Sequence, residues 1–183
     1  MALKSRIVKA ELAVADIDRG YYGDHALTLA QHPSETDERL MVRVLAFALH
    51  AHEMLEFGRG LSTEDEPDLW QRDLTGVIEH WIDVGLPDER DVRKACGRAR
   101  HVSVLAYGGR AVDLWWQAAR ATLDRQRVLE VVDVPLDASR ALAGLATRNL
   151  KLQVTFQEAQ VLVTDGNASI PLELRVLKAR SDA

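Results

Sequence analysis

The sequence predicts an α/β (α+β) fold in which helices flank a mixed β-sheet core, within one domain spanning residues 1–183. Between residues 88 and 147, segments of helical periodicity alternate with short apolar runs typical of buried strands. Towards both ends of the chain, polar and apolar residues alternate as in half-buried antiparallel strands. A chain of this length is typical of a single domain with one sizeable core.

The composition narrows the class of protein. Apolar residues make up 47% and charged residues 28% of the chain, proportions that are ordinary for a soluble globular domain. The net charge of -5 argues against a general nucleic-acid coat, but it permits an enzyme with a local basic rim. Cys96 is the only cysteine, and no signal-peptide pattern or stretch of about 18 apolar residues is present. We therefore expect a cytoplasmic protein that does not bind a membrane.

The individual elements follow from the local patterns. Residues 3–16 and 25–30 alternate well enough for an antiparallel hairpin, with a bulge near Ile7 and Val8. Further along the chain the patterns predict helices at 88–99, 110–125 and 136–147, and strands at 77–84, 101–107, 128–134, 152–156, 161–164 and 170–177.

The first helix is predicted to begin after Ser34, a favourable N-cap residue that is followed by acidic residues. It is expected to continue to Leu55 or Phe57. At about 100° per residue, Glu38 lies at the margin of the apolar stripe, whereas Arg39 and Arg43 point outward. The stripe consists of Met41, Val44, Leu45, Ala48 and Leu55.

Two histidines of this helix, His50 and His52, are separated by two positions. Residues at that spacing do not share a helical face, so they are a poor pair of metal ligands. We expect both to lie at the surface or at the edge of the core.

An acidic β-hairpin is predicted around the turn Asp73-Leu74-Thr75-Gly76. If Asp73 pairs with Gly76, Glu66 lies opposite Asp83, and Asp68 lies opposite Trp81. Alternation along the strands then gathers several acidic residues on one face. Their charges require a divalent metal, a cationic side chain or exposure to water, because an unpaired buried carboxylate is strongly unfavourable. The residues on this face are Glu66, Asp68, Glu79, Trp81 and Asp83, while Ile78, Ile82 and Val84 are predicted to face the core.

Two segments, HPSETDER at 32–39 and EPDLWQRDLTG…WIDVGLPDERDVRKAC at 66–96, resemble the YaeQ family of small bacterial proteins. The resemblance extends over essentially the whole chain, including the opening MALKS. It implies a fold similar to the restriction-endonuclease-like core of PD-(D/E)XK nucleases. It also implies a variant of their site, which uses Mg²⁺ and in some cases Mn²⁺.

The resemblance also implies a set of metal ligands. Nucleases of this class take one acid from the first helix, one from the second strand and one from the third strand. Glu38 matches the helix position and Asp83 the third-strand position. Asp68 follows a proline as in the family motif, while Glu66 is a rival ligand under the register described above.

The cationic member of the implied site departs from the family pattern. The usual lysine, two residues after the third-strand acid, is replaced by Gly85. Some members of the superfamily carry this lysine on the following helix, where Lys94 is the only lysine. Lys94 lies about 160° from Cys96, away from the apolar face. Arg90 and Arg93 are alternatives that could hold a phosphate but could not easily act as a base.

The residues leave several functions open. One is a Mg²⁺-dependent nuclease or phosphodiesterase with Glu38, Asp68 or Glu66, and Asp83 as metal ligands. A second is a nuclease-like domain without catalytic turnover that binds nucleic acid or a protein. A simpler alternative is that the acidic residues only solvate an open cleft.

Overall fold

A computed structural model describes residues 4–59 and 65–181. These residues form four helices, and none of them is long and apolar enough to cross a membrane. The helices are α1 (Asp37–Leu49), α2 (Glu89–Cys96), α3 (Arg110–Leu123) and α4 (Leu136–Ala143). The strands are β1 (Arg6–Asp16), β2 (Tyr21–Gln31), β3 (Leu55–Phe57), β4 (Leu69–Arg72), β5 (Ile78–Val84), β6 (Ala99–Tyr107), β7 (Leu129–Val134), β8 (Asn149–Gln157), β9 (Gln160–Thr164), β10 (Ser169–Glu173) and β11 (Arg175–Lys178).

The first sheet joins the two ends of the chain in the order β10-β9-β8-β1-β2. β1 and β2 form the predicted antiparallel hairpin, but their register is continuous from Arg6 to Asp16. The predicted bulge at Ile7 and Val8 is therefore wrong, and residue 3 of the predicted strand lies outside the described range. β1 also pairs in parallel with β8, so antiparallel hairpins from both ends of the chain are joined in one mixed sheet.

The second sheet has the order β11-β7-β6-β5-β4-β3. Its central strands β5, β6 and β7 are parallel, while β3, β4 and β5 pair in antiparallel fashion. The helical segments α2 and α3 connect the parallel strands, because parallel neighbours cannot be joined by a tight turn. The predicted mixed α/β class is confirmed, with two mixed sheets where one core sheet was expected.

The β4–β5 hairpin has a different register from the predicted one. Asp73 pairs with Val77 rather than with Gly76, because its carboxylate accepts from the backbone of Thr75 and Val77 and a three-residue loop results. A further irregularity follows next to Arg72. Trp81 therefore lies opposite Trp70, not Asp68, and the same register places Asp68 beside Asp83.

Two hydrophobic cores lie on the two faces of the second sheet. The first core contains α1, α4 and residues of both sheets, and Ile82 and Val84 point into it as predicted. The second core packs α2 and α3 against the opposite face, where Trp81 is buried and Ile78 packs at its edge. Trp81, which was predicted to share a face with the acidic residues, is therefore covered by helices, and the prediction that Ile78 faces the same core as Ile82 and Val84 is wrong.

Helix α1 differs from its prediction at both ends. Thr36 is the N-cap residue, since its hydroxyl accepts from the backbone N–H of Arg39, whereas the Ser34 hydroxyl bonds to His32. The helix ends at Leu49, because the chain turns at His52 and enters the edge strand β3. The prediction of a helix continuing to Leu55 or Phe57 is therefore wrong.

Arg43 of α1 is buried, contrary to the predicted outward orientation. It is only 1% exposed, because α1 is enclosed between the two sheets and has no long solvent face. Its guanidinium donates to both oxygens of Glu35, at 2.7 and 2.8 Å, and to the carbonyl of Ala30. A buried guanidinium requires such partners, and the motif that precedes α1 supplies them.

Candidate functional site

The candidate site lies where α1 begins, β5 ends and the chain enters β4. Asp68, directly before β4, connects these three elements through its carboxylate. One oxygen accepts from the Arg39 guanidinium at 2.6 Å, and the other accepts from the backbone N–H of Val84 at 2.7 Å. Asp68 therefore links the start of α1 to the end of β5 through these two hydrogen bonds.

Asp83, near the end of β5, carries the most strongly perturbed carboxylate of this region. Its Oδ2 accepts from the Trp81 indole N–H at 2.9 Å. Burial, and then the neighbouring Asp68 carboxylate, raise the pKa of Asp83 from 3.8 to about 7. The Asp68 carboxylate is thus near enough to Asp83 to disfavour its ionised form.

Arg39 is the cation that the structure places against this pair. Its guanidinium bridges Asp68 and Glu35, the latter at 3.0 Å. Burial alone would lower the pKa of Arg39, but the two carboxylates outweigh that effect and raise it. Arg39 was predicted to point outward. Its position four residues after Glu35, a spacing that brings side chains together on a helix, was the available signal.

Glu38 is held by a different neighbour. Its Oε1 accepts from the buried hydroxyl of Ser139 on α4, at 2.8 Å. In the described part of the chain, Glu38 does not join Asp68 and Asp83 in a set of three ligand atoms within 4.8 Å of one another. As a third metal ligand, Glu38 would have to turn away from Ser139.

Glu66 and Lys94 contact the loop that precedes β4. Glu66 accepts from the backbone N–H of Arg59 at 3.2 Å and lies near the Arg59 guanidinium. Lys94 pairs with Asp65 at 2.7 Å, and both side chains are largely exposed. Their roles as metal ligand and cationic residue stay predictions, as do those of Glu38, Asp68 and Asp83.

Gly85, which stands where the family pattern has lysine, ends β5 with a positive φ of 104°. Its backbone N–H donates to the Leu105 carbonyl at 2.8 Å, which fixes this bend against β6. The chain then turns towards α2, whose N-cap is Asp88. A side chain at position 85 would therefore start from a backbone conformation that residues other than glycine rarely adopt.

A second polar cluster escaped the sequence analysis. His50, His80 and Glu130 come from α1, β5 and β7, and their ligand atoms lie within 4.8 Å of one another. The sequence-based prediction considered only His52 as a partner of His50 and rejected that pair as metal ligands. Residues so far apart along the chain carry no spacing signal, so only the sheet topology brings them together.

Comparison with known families identifies the relationship. The family model described as YaeQ protein matches residues 1–174. This chain belongs to the YaeQ family. The resemblance seen in the sequence is thereby confirmed for the family.

Relatives and solved structures agree with this assignment. The chain is 43% identical over 174 residues to the uncharacterized protein YaeQ of Salmonella typhi, covering 95% of this chain and 96% of the relative. It is 40% identical to that of Escherichia coli over the same shares. The crystal structure of YaeQ from Xanthomonas axonopodis pv. citri superposes with a TM-score of 0.93 at 50% identity, covering 96% of this chain and 99% of that one. The crystal structure of YaeQ from Pseudomonas syringae superposes with a TM-score of 0.92 at 37% identity, covering 97% of this chain and 98% of that one.

Proposed function

We propose that this YaeQ-family protein is a variant PD-(D/E)XK nuclease that hydrolyses phosphodiester bonds of nucleic acid with Mg²⁺, or Mn²⁺, bound at Asp68 and Asp83. The observation that carries the proposal is the proximity of these two carboxylates. Burial and the neighbouring Asp68 raise the pKa of Asp83 to about 7. A strongly perturbed acid beside a second acid is typical of functional sites.

The order of the elements supports a restriction-endonuclease-like core. Helix α1 is followed by β3, β4, β5, α2 and β6, with β5 and β6 parallel. Asp68 lies at the start of the second of these strands and Asp83 near the end of the third. These are two of the three positions at which the family resemblance implies an acid, the third being Glu38 on α1.

The donor atoms fit a hard divalent cation, because Mg²⁺ prefers carboxylate oxygens and usually binds through one or two carboxylates. When bound, such an ion stabilises negative charge on a phosphate and lowers the pKa of its water. It would also favour the ionised form of Asp83, whose repulsion with Asp68 it would relieve.

Arg39 is assigned to phosphate binding in this proposal. It lies 2.6 Å from Asp68 and keeps its proton at physiological pH. It can therefore neutralise a phosphate group. It cannot act as a general base, so it does not replace the missing lysine.

A nuclease-like module that binds nucleic acid without turnover is the second candidate function. The ion pair between Arg39 and Asp68 favours it, since a cation from the protein already compensates one of the two acids. The absence of lysine at position 85 favours it as well.

Metal-dependent stability tests the proposed site. Mg²⁺ at about ten times its dissociation constant adds about 1.4 kcal/mol by mass action and raises Tm by roughly 3–6 °C. We expect this shift in the wild type and in Glu173→Gln, an exposed acid of β10 that serves as the control. Asp83→Asn, which preserves the shape of the side chain, should abolish it.

Cleavage assays then separate the two candidate functions. The nuclease proposal expects Mg²⁺-dependent cleavage of single-stranded or duplex DNA or RNA that is lost in Asp83→Asn and Asp68→Asn. Absence of both the thermal shift and cleavage would refute it. Salt-sensitive binding to nucleic acid without cleavage would instead support the binding module.

A further inference from the structure

We propose that His50, His80 and Glu130 form a second metal site, which takes a Zn²⁺-class transition-metal ion and opens into a cavity of about 370 Å³. This site is separate from the Asp68–Asp83 site and does not depend on the proposed nuclease function. Imidazole and carboxylate ligands suit transition metals, whereas the Asp68–Asp83 pair suits Mg²⁺.

The two sites lie at opposite ends of the same elements. His50 caps the C-terminus of α1, while Arg39 lies in its first turn. His80 precedes Asp83 by three residues on β5, a separation of about 10 Å along an extended strand. An odd separation also directs the two side chains to opposite faces of the sheet.

The distances between the ligand atoms suit a metal ion. His50 Nε2 lies 3.5 Å from Glu130 Oε1, beyond the usual length of a hydrogen bond. Ligand atoms of a tetrahedral zinc site, with bonds of about 2.0–2.1 Å, are separated by about 3.3 Å. The ring centroids of His50 and His80 are 4.5 Å apart, and one nitrogen of each ring lies within 4.8 Å of the other and of Glu130.

An unsatisfied polar atom points to a missing ligand. His50 Nε2 is buried and has no hydrogen-bond partner among the described residues. Such atoms are rare in native proteins. Burial is the main cause that disfavours the charged form of both imidazoles.

Ser103 orients two of the ligands. Its buried hydroxyl donates to Glu130 Oε1 at 2.5 Å and lies 2.6 Å from His80 Nε2. Because its single proton goes to Glu130, it accepts from the His80 ring. If a metal bound here, Ser103 would continue to hold Glu130 in place. Groups of this kind fix the orientation of metal ligands.

The same side chains do not form a nucleophilic triad. In a triad, the acid bonds to the histidine nitrogen that faces away from the serine. Here Glu130 bonds to the Ser103 hydroxyl itself. Ser103 is also only 1% exposed, so a substrate has no direct access to its oxygen.

Acidic and basic side chains both line the cavity. The acids Asp16, Asp18 and Glu130 and the guanidiniums of Arg19 and Arg180 line it. Arg19 is already paired with Asp16 at 2.6 Å. Two histidines and one carboxylate leave a coordination position open, as in catalytic zinc sites. The adjoining cavity has room for a water molecule or a small anionic ligand at that position.

A zinc titration tests the inference. Protein treated with a chelator and then dialysed is titrated with Zn²⁺ by calorimetry, and Co²⁺ is added separately so that its visible absorption reports nitrogen ligands. We expect one tightly bound ion per chain. Loss of a direct ligand in His80→Ala or Glu130→Gln should weaken binding by about 100-fold or more, beyond the effect of losing an orienting group.

Matched variants distinguish this site from other zinc binding. His52→Ala, which removes the histidine two positions from His50, and Asp83→Asn should both retain the wild-type affinity. Circular dichroism verifies that each variant is folded, and Glu130→Gln decides the matter if His80→Ala does not fold. Absence of a stoichiometric zinc complex, or an equal loss of affinity in His52→Ala, overturns the proposal.

Discussion

Arg43 of α1 is buried, so its charge requires a partner within the protein. Its charge is removed from water and is balanced by Glu35, which is itself buried. The pair connects the middle of α1 to the segment that precedes the helix. Glu35 also accepts from Arg39, which in turn binds Asp68. The ion pairs Glu35–Arg39 and Arg39–Asp68 thus connect the buried Arg43–Glu35 pair to the Asp68–Asp83 site.

Removing one partner of this pair should destabilise the fold. We expect Arg43→Met to lower the free energy of unfolding by about 3–5 kcal/mol, because Glu35 loses its principal partner in the interior. Urea unfolding measures the effect. Arg125→Met, at an exposed position after α3, is the control and should change stability by less than about 0.5 kcal/mol. Equal stability of the two variants would contradict the inferred role.

At the scale of single elements, the start of α1 allows a direct comparison of two hydroxyl residues. Thr36 caps the helix, whereas Ser34 bonds to His32 outside it. Thr36→Ala should therefore reduce stability by about 1 kcal/mol. Ser34→Ala should stay within about 0.5 kcal/mol of the wild type. Thermal or urea unfolding of the two variants checks the assignment, and the reverse order would place the cap at Ser34.

The elements themselves were largely predictable, but their ends and pairings were not. Ser34 and Thr36 are both favourable N-cap residues, so composition did not choose between them. The β4–β5 register depended on a turn whose length is set by the side-chain bonds of Asp73. Asp68 and Asp83 were nevertheless correctly expected to lie close together, because any hairpin around this turn brings them near.

At the scale of the whole molecule, three buried groups with large pKa shifts contribute to the dependence of stability on pH. The pKa of His50 and His80 falls from 6.5 to about 3, so the unfolded chain binds more protons in that range and acidification destabilises the fold. The pKa of Asp83 rises from 3.8 to about 7, so the folded protein takes up the extra proton and acidification stabilises it. The two histidines outweigh the single carboxylate.

We therefore expect the wild type to lose stability as the pH falls from about 6.5 to 4, at up to about 1.4 kcal/mol per pH unit for the one net proton. Asp83→Asn removes the opposing contribution, and its loss should be nearly twice as steep. Urea unfolding at several pH values in a metal-free buffer measures both slopes. Parallel profiles would show that Asp83 does not titrate in this range.

The arrangement of the molecule into two sheets was beyond the sequence analysis. The parallel pairing of β1 with β8 joins segments from opposite ends of the chain, and local periodicity carries no information about such contacts. For the same reason the cluster of His50, His80 and Glu130 was missed. One domain over the entire chain, and a cytoplasmic location, stay predictions.

The bend at Gly85 limits what a substitution by lysine can achieve. A Cβ atom at this position has enough space, since the nearest atom, on the Tyr107 ring, would lie 3.9 Å away. A lysine would, however, strain the backbone by about 1–3 kcal/mol, because φ is 104° there. Gly85→Lys alone is therefore expected to destabilise the end of β5. Straightening this bend would break the hydrogen bond between the backbone N–H of residue 85 and the Leu105 carbonyl.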